Sequence, residues 1–411
     1  MALPGRAALW RFLVLYGALY AAFGVNSPYL PALLEERGLS PEAIGIALGA
    51  GTIARLVAGP VAGRLADRLD APRLVLAASA LLGAGAALVY LAVRGVPPLL
   101  AVAVVQAAVL APLAPLTDSL ALGAAAPPRA AAGRPGFAYG LVRGACSAAF
   151  IAGSIASGQI VARLGLLAVP WMHALLLAAT ALAARRAPRL APAPAPPAAA
   201  GTRGSSAAEL LRLPTFRRVV LVAALILGSH GFHDSFAMIR WRAAGIGAGT
   251  AGLLWSLSVA AEVVVFLLIG RPLLDRLGPG GAASIAALAG AVRWAVAGTT
   301  AALPATLLIQ PLHGITFALL HLACMRLLAQ IVPPRLAATA LAVYGTVGIG
   351  AATALVMLAS GPLYAGFGAH GFWAMTVLCL AALPLARTLR DAAAPVSFAE
   401  PGALHQKMEP M

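Results

Sequence analysis

Twelve runs of apolar residues, each long enough to cross a bilayer, leave this chain little choice of fold. They cover about residues 10–33, 43–63, 73–93, 97–123, 137–162 and 166–184, then 217–240, 248–270, 280–300, 303–328, 336–360 and 369–388. A spanning helix needs roughly 20 such residues. Without water, every backbone N–H and C=O must be bonded inside its own segment, which a helix achieves and an open strand does not. The gaps between runs are short except after Arg185, where an Ala/Pro tract at 191–200 leads into Gly201-Thr202-Arg203-Gly204-Ser205-Ser206. Such tracts are semi-extended and build no core. The expected architecture is an all-α polytopic membrane protein with two pseudo-symmetric six-helix bundles. The first bundle takes 1–184, a linker 185–216, the second bundle 217–390 and a tail 391–411.

Charge is too scarce for a soluble domain: 10% of residues are charged and 61% hydrophobic, against about 25% charged in soluble proteins. The net charge of +16 could suggest nucleic acid. However, the basic residues sit between the runs, not on one amphipathic face, which is the positive-inside pattern. No nucleic-acid partner is expected. With both termini on one side, that side collects 20 Lys and Arg and the other collects 5, while Arg55, Arg143, Arg293 and Arg326 fall within runs. The termini and linker are therefore expected in the cytoplasm. Arginine outnumbers lysine 28 to 1, which points to a GC-rich bacterial genome and to the bacterial cytoplasmic (inner) membrane. Cys146, Cys324 and Cys379 lie inside runs, so no disulfide framework is implied. No small-residue cleavage site follows the first run, which is read as a retained span.

The halves echo each other at a spacing of about 207 residues. Gly45, Gly63 and Asp67 recur as Gly252, Gly270 and Asp275, and Tyr139-Gly140-x-Val142 recurs as Tyr344-Gly345-x-Val347. Asn26 aligns with Asp234, Arg55 with Glu262 and Asp118 with Arg326, so paired positions tend to differ in charge. Between runs 2 and 3, the loop Gly63 to Arg73 carries Arg64, Asp67, Arg68 and Asp70, with Asp275 and Arg276 as its counterpart. It reads as a charged hinge at the membrane surface. Basic loops serve topology alone, but Asp67 is not needed for that. A carboxylate there can meet the positive end of a helix in the other half and latch one conformation.

An ionisable residue at a helix centre costs roughly 2.5–3.5 kcal/mol on insertion scales, so it persists only if paired, wetted or functional. This chain holds Arg55, Asp118, Arg143, His230, His233, Asp234, Glu262, Arg293, His313, His321 and Arg326 inside runs. Runs 3, 6 and 12 hold none of these and are therefore read as lipid-facing or supporting. That segregation points to one polar cavity between the halves. Asp118 and Arg143 lie roughly 8–9 Å inside the same end of neighbouring helices, so they can form a structural ion pair or share an anionic substrate. Trp255, Ser258 and Glu262 fall on one helix face. An aromatic plate under a carboxylate suits a substrate ring or a buried proton site, and a tryptophan packed in a helix interface is the plainer alternative. Burial raises a carboxyl pKa and a nearby cation lowers it, so a glutamate facing Arg293 in one conformation and an apolar wall in another can carry a proton. His313, Phe317 and His321 recur every four residues, and histidine titrates near neutral pH. Both can line the cavity, or serve helix–helix hydrogen bonds. His230-x-x-His233-Asp234 has ligand residue types, but no cysteine or second carboxylate converges on it. No metal or cofactor is expected; the coupling ion is the proton.

Gly63-x-x-x-Asp67-Arg68 resembles the loop signature of the major facilitator superfamily, with Asp70 where a glycine is usual and Asp275 five residues, not four, after Gly270. Other strings resemble the phenylpropionate permease family within the lactose-permease-like branch. They include Leu39-Ser40-Pro41-Glu42-Ala43-Ile44-Gly45, Pro112-Leu113-Ala114-Pro115-Leu116-Thr117-Asp118, Val292-Arg293-Trp294 and His313-Gly314-x-Thr316-Phe317. The resemblance runs from about Tyr16 to Trp373. It implies alternating access and proton-driven uptake of a small carboxylate or sugar. It also implies substrate binding by Arg143, and binding and proton coupling by Glu262, Arg293 and His321. Two positions depart from the family pattern: Gly144-Ala145 replaces a leucine-tryptophan pair, and His233-Asp234 stands where tyrosines are usual.

The leading expectation is a proton-coupled symporter for a small organic solute, working as a monomer in the bilayer, with Asp118, Arg55, Asn26, His230, Asp234, Trp255 and His313 joining Arg143 in binding. A proton antiporter exporting a drug or metabolite is the alternative, and a non-transporting sensor or scaffold is the alternative of another class. No nucleophile–base pair or cofactor loop points to an enzyme.

Overall fold

The computed structural model describes residues 5–125, 137, 139–188 and 203–389. The sequence expectations about Arg129, Arg134, Arg189, the Ala/Pro tract, Arg390, Lys407 and the tail lie outside the described residues. Ten apolar helical stretches are long enough to span a membrane. They begin with α1 (Arg6–Asn26), α2 (Pro41–Arg68), α3 (Pro72–Ala92) and α4 (Val96–Ala125). Next come α5 (Tyr139–Leu164), α6 (Ala168–Arg186) and α7 (Pro214–Ala243). The stretch Ala248–Thr299 is 52 residues long and breaks at Gly278, whose φ of 65° and ψ of 170° no helix contains. It therefore divides into α8 (248–277) and α9 (279–299). After α10 (Leu303–Ile331), the 54-residue stretch Pro334–Arg387 breaks at Gly368, with φ 54°, into α11 (334–367) and α12 (Phe372–Arg387). With those breaks the ten stretches become the twelve spans read from the sequence.

Local chemistry explains the helix ends. Proline opens α2, α3, α7 and α11, where its missing N–H would be unpaired anyway and its fixed φ suits a first turn. Ser40 caps α2 by accepting from the Ala43 N–H at 3.4 Å. Between α2 and α3, Asp70 has φ 46° and is the only non-glycine residue at positive φ among the described residues. That is the position where the loop signature carries glycine, and aspartate is one of the few side chains that enters this conformation readily. Part of the linker is helical. A helix over Arg203–Arg212 buries Leu210 against the second half, and Glu209 takes both guanidinium nitrogens of Arg335, at 2.5 and 3.1 Å.

Three of the hydrophobic cores set the shape. One lies wholly in the first half, around Phe12, Tyr16, Leu116 and Leu177. Another lies wholly in the second half, around Phe216, Val219, Leu320 and Leu327. A third joins the halves at the end remote from the linker, with Tyr29, Leu33 and Ile44 packed with Phe236, Trp241 and Ala251. There α2 runs against α11 and α5 against α8. Glycines permit the approach: Gly45 abuts Gly361, and Gly158 abuts Ala248 and Gly249. Tyr29 Oη donates to the Ala248 carbonyl at 2.9 Å, and Glu36 faces Arg242 at 3.7 Å. The halves are thus sealed at one end and splay toward the linker.

Leu175, Leu308 and Leu355 are well exposed, which suits lipid and not water. One sequence reading needs correction: α6 is not free of ionisable groups, because it carries His173. That side chain is fully buried, with Nδ1 2.9 Å from the Ala22 carbonyl, so it ties α6 to α1 and does not face lipid.

Candidate functional site

A cavity of about 820 Å3 lies between the halves, from Trp255 near the sealed end to Gly140 in the first turn of α5. Its wall comes from α1, α5, α7, α8, α9, α10 and α11. None comes from α3, α6 or α12, in line with their supporting role.

The second-half wall holds a chain of charge. Glu262 Oε2 lies 3.4 Å from His313 Nε2, and Arg293 Nη1 lies 3.1 Å from His313 Nδ1. A guanidinium can only donate, so Nδ1 accepts and the ring proton sits on Nε2, the nitrogen that faces the Glu262 carboxylate. Glu262 and Arg293 are therefore joined through a neutral imidazole and not by direct contact. Arg293 is 1% exposed, its guanidinium carbon 4.5 Å from the Trp294 ring centre. Its Nη2 donates to Gln310 Oε1 at 3.2 Å, which also accepts from Ser258 Oγ at 2.6 Å. Gln310 reaches inward because the turn at Pro311 interrupts α10.

The other imidazoles frame this chain. His230 Nε2 lies 3.1 Å from Thr316 Oγ1. His233 Nδ1 lies 3.4 Å from Asp234 Oδ1, with its ring 5.2 Å from Trp255. His313, Phe317 and His321 stack in a ladder toward the mouth, with ring centres 5.6 and 6.4 Å apart, and His321 Nδ1 lies 3.3 Å from Tyr344 Oη. Wide π-helical turns, where side-chain register slips, follow Glu262 at Val265–Ile269, separate His313 from Leu320 at Gly314–Leu319, and begin at Tyr344 in Tyr344–Ala351. Among the described residues no group of three potential metal ligands forms.

Across the cavity, Arg143 Nη1 donates to Tyr20 Oη at 2.7 Å. Tyr20 stacks on Tyr16 at 6.0 Å, and Tyr16 and Tyr139 donate to Asp118 Oδ1 at 2.5 and 3.0 Å. Asp118 and Arg143 thus do not form the direct pair that their depth allowed. Each takes a neutral phenol, which bonds the charge and carries its own apolar ring into the bilayer.

Of the candidates read from the sequence, Arg143, His230, Asp234, Trp255, Glu262, Arg293, His313 and His321 converge on the cavity. Asp118 sits behind the tyrosines. Arg55 lies off the wall on α2, 3.4 Å from Thr52 Oγ1, and feels the charge of Asp234. Asn26 ends α1, where its carbonyl accepts from the Tyr29 N–H. The loop candidates lie at the linker end. Gly63 has open space around it, and Asp67, Arg68 and Arg276 are exposed. Arg73 donates to the Ala187 carbonyl at 2.9 Å, and Asp275 pairs with Arg326 at 2.7 Å.

Residues 9–375 match the MFS_1 like family. The chain belongs to this family. Over 377 residues it is 33% identical to the "Probable 3-phenylpropionic acid transporter" of Escherichia coli, covering 91% of this chain and 96% of that protein. Among solved structures it is similar to the nucleoside transporter NupG, with TM-score 0.75 at 16% identity, covering 92% of this chain and 97% of that one. It is also similar to the D-xylose-proton symporter, with TM-score 0.66 at 18% identity, covering 94% and 98%; both likenesses concern the fold. This MFS_1-like chain is a multi-pass membrane transporter of the major facilitator type, and its relatives are transporters, not enzymes. In the MFS_1-like transporter, sequence reasoning overlooked Tyr16, Tyr20 and Gln310 as parts of the site. The usable signal for Gln310 was an amide beside a proline inside an apolar run.

Proposed function

We propose that this MFS_1-like transporter is a proton-coupled symporter that takes up a small carboxylate-bearing organic solute by alternating access. The relative named for 3-phenylpropionic acid makes an aromatic acid the first candidate. The observation that carries the reading is the Glu262–His313–Arg293 chain on the wall of a cavity sealed at one end, with Arg143 opposite. Arg143, held by Tyr20, meets the substrate carboxylate, since a guanidinium fork matches a carboxylate. Trp255 and Phe317 give an aromatic ring flat surfaces to pack on.

Glu262 carries the proton. As a carboxylate it attracts the His313 N–H that faces it; once protonated it loses that charge attraction, and the imidazole N–H becomes free to meet the substrate. Proton binding and substrate binding thereby share one side chain. The arginine asymmetry supports a cytoplasmic linker in a bacterial cell, which makes the sealed end periplasmic and the described conformation inward-open. The monomer is the working unit, as both walls of the site come from one chain. The test is uptake of labelled 3-phenylpropionate by proteoliposomes of the purified protein. Accumulation under an acid-outside gradient, abolished by a protonophore, is the expected result. Uptake that ignores the gradient overturns the reading.

A further inference from the structure

We infer that the substrate is an aromatic acid whose ring carries a hydrogen-bond donor, a hydroxyl or an ammonium group, and that Asp234 receives that donor. This rests on the proposed uptake of a carboxylate-bearing solute and adds a second polar contact at the solute's other end.

Three carboxylates lie inside the spans near the cavity, and two of them are already engaged. Asp118 is shut behind Tyr16 and Tyr139, which donate to it. Glu262 faces the His313 N–H, and its side chain is 25% exposed. Asp234 lines the cavity and is 43% exposed, with His233 Nδ1 beside it at 3.4 Å. No arginine among the described residues pairs with it, and Arg55 bonds to Thr52 instead. A carboxylate can accept from about four directions, so most of Asp234's capacity is left to water in this conformation. When the halves close on a substrate that water is expelled, and a carboxylate stripped of donors in the bilayer core is costly. A donor on the substrate replaces what the water gave.

The acceptor is held in place. The His233 ring is 6% exposed and sits among three tryptophans, its centre 5.8 Å from Trp241, 5.2 Å from Trp255 and 5.6 Å from Trp294. An imidazole boxed in this way cannot swing, so its Nδ1 fixes Asp234 Oδ1 and leaves Oδ2 for the substrate. Trp255 also lines the cavity, so a substrate ring packed on it has its rim next to the His233–Asp234 pair. The substrate carboxylate then reaches Arg143 on the opposite wall. The donor therefore belongs on the ring and not beside the carboxylate. The same geometry excludes by charge, since a second carboxylate on the ring would face Asp234 and be repelled.

The experiment uses the full chain in proteoliposomes taking up labelled 3-phenylpropionate. Unlabelled 3-phenylpropionates compete with it, carrying a hydroxyl, aminomethyl, methyl or carboxyl group at the meta or para position of the ring. The hydroxyl or the aminomethyl acid, at its better position, is expected to compete roughly tenfold better than the methyl acid of similar size. That is the low end for a hydrogen bond to a charged group, because the site is open to water. Whichever of the two leads identifies the donor as neutral or cationic, and the carboxyl acid is expected to compete worst. In Asp234→Ala the preference over the methyl acid is expected to shrink to within about twofold. If that variant does not transport, the same ratio is read from the shift in melting temperature that each acid gives the purified protein. A methyl acid that competes as well as both donors, or a donor preference that survives in Asp234→Ala, overturns this inference and leaves carboxylate uptake standing. Absence of 3-phenylpropionate uptake, with no competition or melting shift from any of the acids, overturns the uptake reading and this inference with it.

Discussion

Gly361 on α11 lies so near α2 that a Cβ there would stand 2.6 Å from the Glu42 Cα and 2.7 Å from the Pro41 carbonyl oxygen. On the facing helix, a Cβ at Gly45 would meet the Gly361 nitrogen and the Met357 oxygen at 2.8 Å. These are backbone contacts, so no flexible side chain can yield, and Gly361→Ala forces the two helices apart. Overpacking of this kind costs about 1–3 kcal/mol. The cost falls only on the conformation in which α2 and α11 touch at this end. The balance between the sealed and the opened state should therefore move by about 5- to 150-fold toward opening. Spin labels at Leu164 and Ala244, at the sealed end of opposite halves, would report it as a new population at longer distance. Gly85→Ala is the control, since a Cβ there meets nothing within 4 Å. If Gly361→Ala gives the same distances as the wild type and the control, the glycine seam does not hold that end shut.

Three other changes probe separate links. Tyr20→Phe removes the phenol that holds Arg143; hydrogen bonds to charged groups are worth about 1.5–3 kcal/mol, so substrate affinity should fall roughly tenfold, at the low end because Arg143 is open to the cavity, with maximal rate retained in uptake kinetics. Asp70→Val places a branched side chain at φ 46° and should cost about 1–2 kcal/mol, seen as a lower melting temperature in detergent, while Asp70→Gly should melt no lower than wild type. Asp67→Ala removes the carboxylate proposed to latch the halves at the linker end in the opposite conformation, so a Gly140→Cys reporter at the cavity mouth should alkylate faster; unchanged labelling and transport would remove the latch.

Much of this architecture is legible in the chain because lipid enforces simple rules. An apolar run of membrane length has one viable backbone, and a charge inside it needs a partner, so Arg143, Glu262, Arg293 and His313 could be gathered before any geometry was known. The repeat was informative too. Gly45 and Gly252, aligned in sequence, occupy matching seams, one against α11 and the other against α5. What escaped was neutral and polar. Tyr16, Tyr20 and Gln310 cost little to bury once bonded, so a search for expensive residues passes over them, yet they decide that Asp118 and Arg143 stay apart and where Arg293 points. Depth along a helix also says nothing of azimuth, which is why Arg55 seemed a wall residue and lies off it. The helix over Arg203–Arg212 was hidden by its Ala/Pro neighbours, because composition averages over a segment whose order comes from Leu210 and Glu209 docking on the second half.

The most direct test of the coupling role of Glu262 is Glu262→Gln compared with wild type in proteoliposomes loaded with unlabelled 3-phenylpropionate. The substitution keeps the side chain's shape and hydrogen-bonding capacity and removes its proton chemistry. Accumulation under an acid-outside gradient should disappear, while exchange of labelled for unlabelled substrate persists. Concentrative uptake that survives in Glu262→Gln would contradict the account.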